Sequence, residues 1–158
     1  MIKVAIVTVS DSCARGNRED VSGRTIEEML PSDTFEVCHR KILPDEEDMI
    51  ALGLTQLSDR MEMDLILTTG GTGLGPRDVT PEATEMVCDR MVPGLCELMR
   101  AESLKKTPNA VLSRAAAGLR GDTLIINLPG SPKAVRECLE VILPILPHAM
   151  EMMRGGGH

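Results

Sequence analysis

Apolar residues in this chain follow two rhythms. Ile2 to Val9 is a nearly unbroken run of Val, Ile and Ala, the pattern of a strand covered on both faces. "FEVCHRKIL", "DLILTTG" and "DTLIINLPG" predict three more strands. Between them the spacing lengthens to a helical one. Ile26, Met29 and Leu30 predict a short helix closed by Pro31, after a polar loop reading "SDSCARGNREDVSG". "DEEDMIALGLTQLSDRM" predicts a helix with acids in its first turn, where they complement the dipole, and with Met49, Ile50, Leu52, Leu54 and Leu57 available to pack. "TPEATEMVCDRM" and "GLCELMRAESLKK" predict two further helices. "SPKAVRECLEVILPILPHAMEMM" predicts a closing helix that Pro144 and Pro147 kink or divide.

Strands alternating with helices imply an α/β fold, because parallel neighbours need crossover connections. The expected architecture is a three-layer α/β/α sandwich with a mostly parallel central sheet. With 158 residues and neither internal repeat nor linker, residues 1–154 are expected to form one domain, with "GGGH" at 155–158 a frayed tail. A chain of this size buries roughly 70% of its unfolded surface, so its core needs no staple. Ligands of open parallel sheets sit at the carboxyl ends of the strands. The three stretches richest in chemistry fall there, after the first, the third and the last long strand.

Composition narrows the function. Hydrophobic residues at 42% and charged residues at 26% are those of a globular protein. Phe35 is the only aromatic residue among Phe, Trp and Tyr, so the stacking platforms that hold single-stranded nucleic acid are missing. A net charge of −7 also argues against a phosphate-backbone binder, although a local basic site can still hold a small anion. Five cysteines lack both a C-x-x-C pair and zinc spacing, which fits a reducing compartment. Cys38, Cys88, Cys96 and Cys138 are expected to pack in the interior, with Cys13 in a polar loop the one exposed. The first apolar run is too short and too β-branched for a signal peptide, and no run reaches membrane-spanning length. The expectation is a soluble, cytoplasmic protein with neither nucleic acid nor membrane as partner.

"LTTGGTGLGPRDVTPEAT" places Gly70, Gly71, Thr72, Gly73 and Gly75 between a strand and a helix. Gly70 and Gly75 have Walker A separation, but Pro76 and Arg77 stand where Lys and Ser/Thr belong; Gly71 and Gly73 begin a dinucleotide fingerprint, but Pro76 takes the third glycine's place. The underlying physics survives both failures: backbone N–H groups without side-chain bulk form an anion nest. Arg77 adds a fork for phosphate and Asp78 a carboxylate for a hard cation. Thr80 is the expected N-cap of the next helix, with Pro81 at its first position. A tight turn before a capped helix is the alternative, but a turn needs one or two glycines and no adjacent Arg-Asp.

A second helix start repeats the arrangement. In "NLPGSPKAV" Pro129 and Gly130 make the turn, Ser131 caps, Pro132 takes the first helical position and Lys133 lies in the first turn. A cation there opposes the helix dipole, which suggests an answering phosphate or carboxylate; a solvated lysine is the alternative. The loop after the first strand contributes Ser10, Asp11, Ser12, Arg15, Asp20 and Ser22. Asp45, after "ILP", is either an N-cap of the acidic helix or a second metal carboxylate, and the residues alone favour the cap.

Together, "TTGGTGLGPRDVTPEAT", "PGLCELMRAES", "AVLSRAAAG" and "TLIINLPGSPKAV" resemble, in order and over nearly the whole chain, the molybdenum cofactor biosynthesis proteins of the MogA/MoaB type, including the G domain of plant and animal molybdenum-insertion proteins. The resemblance implies an adenylyltransferase that uses Mg-ATP to adenylate the terminal phosphate of molybdopterin, releasing pyrophosphate before metal insertion. It implies Asp45 and Asp78 as the carboxylates linked to Mg²⁺ and catalysis. The stretch Gly70, Gly71, Thr72, Gly73 and Gly75, with Arg77, Pro129, Gly130, Ser131 and Lys133, is implied for nucleotide and phosphate. Ser10, Asp11, Ser12, Ser113 and Arg114 match the molybdopterin side. "SDSC" and "SGR" depart from the commoner "SDR" or "SDT" and "SGP" openings. The implied assembly is a homotrimer, in some members a hexamer, handing its product to a molybdenum-insertion protein. A member that binds molybdopterin without adenylating it, a tungsten-pathway homologue, and a scaffold module that keeps only the fold are the rival readings. "MVPGLCELMRAESL" offers either core or an apolar subunit face.

Overall fold

The structure is a computed structural model and describes residues 1–156. Among these residues six strands form one sheet: β1 (Ile2–Val9), β2 (Phe35–Leu43), β3 (Leu65–Thr69), β4 (Arg90–Met91), β5 (Ala117–Arg120) and β6 (Thr123–Leu128). Seven α-helices accompany them: α1 (Asp11–Ala14), α2 (Val21–Met29), α3 (Glu47–Asp59), α4 (Thr80–Val87), α5 (Pro93–Leu104), α6 (Pro132–Ile142) and α7 (Leu146–Met153), with a 3-10 turn at Pro108–Leu112. The strand order is β2-β1-β3-β6-β5-β4. β1 pairs in parallel with β2 and β3, and β3 with β6, while β5 runs antiparallel to both its neighbours.

The strands with continuous apolar runs are the central ones. Every residue of β3 and β6 is buried, because both faces of the sheet are covered. On one face Ile26 of α2, Leu95 and Met99 of α5, Leu139 and Ile142 of α6 and Met150 of α7 pack on Val4, Ile6, Leu67 and Ile126. On the other, Ile50, Leu54 and Leu57 of α3 and Ala83 of α4 pack on Ala5, Val7, Ile66 and Ile125. These two cores make the expected three layers.

Several local expectations are corrected. The helix predicted over residues 80–91 stops at Val87, and Arg90–Met91 instead forms a strand on β5, beside the bond from Asp89 N–H to the Leu119 carbonyl (2.7 Å). β5 itself was not predicted, since "AGLR" lacks β-branched residues; its Gly118 is required because a Cβ there would lie 2.7 Å from Cys88 Sγ and 2.8 Å from the Arg90 carbonyl. Met49 and Leu52 of α3 are exposed, and so is Cys38, whose strand β2 is an edge that alternates in burial. Cys96 and Cys138 are buried, and Cys13 and Cys88 half-buried. The closing helix is divided at Leu143–Ile145 rather than merely kinked, as two prolines three residues apart dictate. Gly155 and Gly156 still donate to the Met152 and Glu151 carbonyls, which closes the last turn of α7. The tail expectation for residues 157–158 lies outside the described residues.

Candidate active site

Strand order reverses direction of growth between β1 and β3: the chain leaves β1 for α2 on one face, and leaves β2 for α3 on the other. Such a switch point opens a crevice at the carboxyl ends of the two strands. A cleft of about 410 Å³ lies there, lined by Ser10, Arg18, Ser22, Gly70, Gly130 and Ser131 among others. Every loop singled out in the sequence meets this edge of the sheet: Ser10 follows β1, Asp45 follows β2, Gly70 follows β3 and Pro129 follows β6.

The glycines answer to close approach. Gly70 has φ +96, and a Cβ on it would collide with the Val9 carbonyl; Gly71 has φ +70, and a Cβ would collide with the Thr80 hydroxyl. Thr80 is therefore not the N-cap. Val79 takes that position without a side-chain cap bond, and the Thr80 hydroxyl instead donates to the Gly70 carbonyl (2.9 Å), holding the loop down on α4. Further along, Gly75 N–H donates to Asp78 Oδ2 (2.9 Å) and Asp78 N–H to the Gly75 carbonyl (3.0 Å), so the loop wraps its own carboxylate. Gly73 and Gly75 leave that carboxylate room, since a Cβ on either would be 2.9 Å from Asp78 Oδ2.

Asp45 is not a helix cap either. Glu46 is the N-cap residue of α3, again without a side-chain bond. Asp45 and Asp11 instead exchange bonds across two loops: Asp11 N–H donates to Asp45 Oδ2 (2.8 Å) and Asp45 N–H to Asp11 Oδ1 (3.0 Å). The Arg77 guanidinium closes on Asp11 as a fork, Nε to Oδ2 at 3.1 Å and Nη2 to Oδ1 at 3.0 Å. The Arg77 bond, then the Asp45 N–H, hold the Asp11 carboxyl below its ordinary value. Burial pushes Asp45 up, and the negative charges of Asp11 and Asp78 add to the rise. Asp45 Oδ1 and Asp78 Oδ1 accept no hydrogen bond among the described residues, so each carboxylate keeps one oxygen unengaged. Asp45 and Asp78 repel each other, and among the described residues no cluster of three or more His, Cys, Asp or Glu forms a complete metal site, so the pair suits Mg²⁺, which takes one or two carboxylates together with substrate phosphates and water.

Ser10 caps α1 through the Cys13 N–H (3.2 Å) and lies 3.2 Å from the Ser12 hydroxyl. Ser131 caps α6 as expected, accepting from Ala134 N–H (3.2 Å). Lys133 is exposed, makes no ion pair among the described residues, and stands outside the cleft lining. The Pro129 carbonyl accepts from Thr69 (2.6 Å) and the Gly130 carbonyl from Ser22 (2.6 Å). Pro129 of the same turn also lines a second cavity of about 210 Å³, together with Arg100, Asn109, Ser113, Asn127 and Cys138 among others. Ser113 is thus brought to a different cavity from Ser10, whereas the Thr72 carbonyl accepts from Arg114 N–H beneath the glycine loop.

The sequence profile of the family described as a probable molybdopterin binding domain matches residues 5–148. This chain belongs to that family. It is 46% identical over 156 residues to a Helicobacter pylori (strain J99) protein named molybdopterin adenylyltransferase, covering 98% of this chain and 89% of that one. An Escherichia coli K12 protein of the same name is 43% identical over 142 residues, 88% of this chain and 72% of the other. Among solved structures, the molybdopterin biosynthesis enzyme MoaB from Thermus thermophilus superposes with a TM-score of 0.93 at 55% identity, covering 98% of each chain.

Within this molybdopterin binding domain, sequence reasoning missed two groups. Arg18 lines the cleft and has no carboxylate partner among the described residues, unlike Arg24, Arg40 and Arg77. Its position inside a polar loop gave no periodicity by which to single it out. Asn127, in the middle of an apolar strand, is fully buried and was readable as an unexplained polar residue in "LIINL". Two residues named in the first loop turn out to be structural: Asp20 caps α2 and accepts from the Thr8 hydroxyl, and Ser22 anchors Gly130.

Proposed function

We infer that this protein is a molybdopterin adenylyltransferase of molybdenum cofactor biosynthesis. A terminal phosphate oxygen of molybdopterin attacks the α-phosphorus of ATP; the new phosphoanhydride forms as the bond to the β-phosphate oxygen breaks, and pyrophosphate leaves with that electron pair. Carrying the reading are two cavities that meet at the Pro129–Gly130 turn, one lined by Pro129 and the other by Gly130 and by Gly70 at the start of the glycine loop, with Asp45 and Asp78 outside both linings on the neighbouring loops. A transfer between two bulky polyanions needs two such sites and little acid–base chemistry. Mg²⁺, when bound by Asp45 and Asp78, supplies neutralisation of phosphate charge.

The chain's own part is positioning. Gly70 N–H and Gly75 N–H are held by the Leu128 carbonyl and by Asp78, so the backbone N–H groups of Gly71, Thr72 and Gly73 between them, with those of Gly130 and Ser131, receive the nucleotide phosphates. Arg77, now paired with Asp11, exchanges that carboxylate for a phosphate, and Lys133 reaches the anion from outside the cleft. Ser10, Asp11 and Ser12 lie toward the pterin on one side and Ser113 on the other. Proposed with the activity are a cytoplasmic homotrimer and a downstream molybdenum-insertion protein as recipient; free cysteines accord with the compartment. No helix among the described residues is long and apolar enough to cross a membrane.

The test is AMP transfer from labelled ATP to molybdopterin with Mg²⁺, wild type beside Asp78→Ala. Transfer by the wild type, lost in a variant with an unchanged circular-dichroism spectrum, is the expected result. Tight molybdopterin binding without transfer by the wild type would make the protein a carrier instead.

A further inference from the structure

The side-chain nitrogens of Arg114 are all engaged within the protein, and each partner belongs to the glycine loop or the helix after it. Nε donates to the Gly73 carbonyl (2.8 Å) and Nη2 to the Asp78 carbonyl (2.6 Å). Nη1 donates to both carboxylate oxygens of Glu82, at 3.0 and 2.6 Å. Its backbone N–H completes the set on the Thr72 carbonyl (2.9 Å). Both ends of the loop that wraps the Asp78 carboxylate are therefore tied to one residue more than thirty positions downstream. Glu82, in the first turn of α4, holds the guanidinium in turn, and that ion pair keeps the Glu82 carboxyl below its ordinary value.

We propose that Arg114, oriented by Glu82, is a positioning residue that fixes the 72–78 loop so that the Asp78 carboxylate is preset for a divalent cation, and that it does not contact the pterin. All three nitrogens are aimed at two carbonyls and a carboxylate in different directions, so only the second Nη2 hydrogen is left for any other group, and a substrate could not take the fork bidentately without releasing the loop. Apart from Arg114, the hydrogen bonds tying residues 72–78 to other described residues come from one side chain, the Arg77 fork on Asp11, which leaves the loop backbone itself unanchored. Its internal bonds, Gly75 N–H to Asp78 and back, join the loop only to itself. The Thr80 hydroxyl fixes only the Gly70 end. Lysine at position 114 would keep the charge but satisfy one direction at a time. Glutamine at position 82 would keep the shape while losing the charge that aligns the fork.

The proposal rests on the adenylyltransferase reading only for its kinetic consequence, so the test begins without turnover. Wild type, Arg114→Lys, Arg114→Ala and Glu82→Gln are compared by hydrogen exchange in ligand-free protein, by Mn²⁺ binding in the presence of ATP using electron paramagnetic resonance, and by equilibrium binding of molybdopterin. Faster exchange at Gly75, Asp78 and Thr80 is expected in the variants, with Mn²⁺ affinity weakened about tenfold or more, as for partners that orient a metal ligand. Molybdopterin affinity is expected to be unchanged, and Glu82→Gln to follow Arg114→Lys. Weakened molybdopterin binding with Mn²⁺ affinity intact would overturn the proposal and return Arg114 to the pterin side; so would a wild type that binds no Mn²⁺. Should Arg114→Ala not fold, Arg114→Lys and Glu82→Gln decide alone. A wild type with a protected loop and tight Mn²⁺ binding that transfers no AMP would sink the adenylation reading and leave the clamp standing.

Discussion

Asp45 occupies a site that a carboxylate alone would avoid, with burial and two neighbouring acids all opposing its charge. Its folded-state pKa lies above the ordinary 3.8, so the folded protein holds that proton more tightly than the unfolded chain. The Asp45 contribution to stability therefore increases as pH falls through the raised value towards 3.8. Asp11 has the opposite sign. The Arg77 fork lowers its pKa, so its contribution is present above 3.8 and is lost as pH falls through the depressed folded value. Asp45→Asn keeps an acceptor for the Asp11 N–H and removes the charge. At neutral pH it should raise the thermal midpoint in calorimetry, while AMP transfer drops about 100-fold or more, as the loss of several kcal/mol of metal-assisted charge stabilisation requires. A midpoint below wild type would show that the Asp45 charge is structurally needed and not strained. At this scale the sequence exposed the residue types but not their pairings. Nothing local in "LPDE" says that Asp45 answers the N–H of Asp11, thirty-four positions away, in preference to capping its own helix.

Between residue and molecule, the elements meet at Asn127 of β6. Its amide donates to Thr68 of β3 (3.0 Å) and Thr84 of α4 (2.9 Å), and its oxygen accepts from Ala116 N–H (3.0 Å) just before β5. One fully buried side chain thus joins two parallel strands, the helix that follows the glycine loop, and the start of the antiparallel edge. Asn127→Leu leaves these buried partners without their bonds and should cost about 3 kcal/mol in urea denaturation, the scale of one or two unsatisfied buried groups. A cost near zero would mean that water or rotated hydroxyls satisfy them. Element types followed from period and punctuation: β1 and β2 begin and end where the apolar runs do, and Pro144 with Pro147 separates α6 from α7. The misread elements were those whose stability is borrowed. β4 and β5 have almost no β-propensity of their own and exist because each pairs with its neighbour against β6.

For the molecule as a whole, the net charge of −7 opposes polyanions, so the proposed function requires local backbone donors and a few arginines to outweigh a repulsive average field. Exposed Met49, Leu52, Met91, Ile145 and Met152 leave apolar surface that one subunit does not cover. Size-exclusion chromatography with light scattering is expected to give the mass of a trimer of the 17.1 kDa chain. A monomer at micromolar concentration would remove the assembly from the proposed function. The sequence by itself determined the layered α/β class, the strands of the parallel core, the Ser131 cap and the edge of the sheet at which the glycine-rich and acidic loops gather. Each of these depends on the spacing of apolar residues or on backbone preferences within a few positions. Only the tertiary structure decided that Asp11, Asp45 and Arg77 form one network, that Thr80 ties the glycine loop and does not cap a helix, and that Arg114 closes that loop from the other side. Such contacts join segments far apart in the chain, and a one-dimensional pattern has no period that records them.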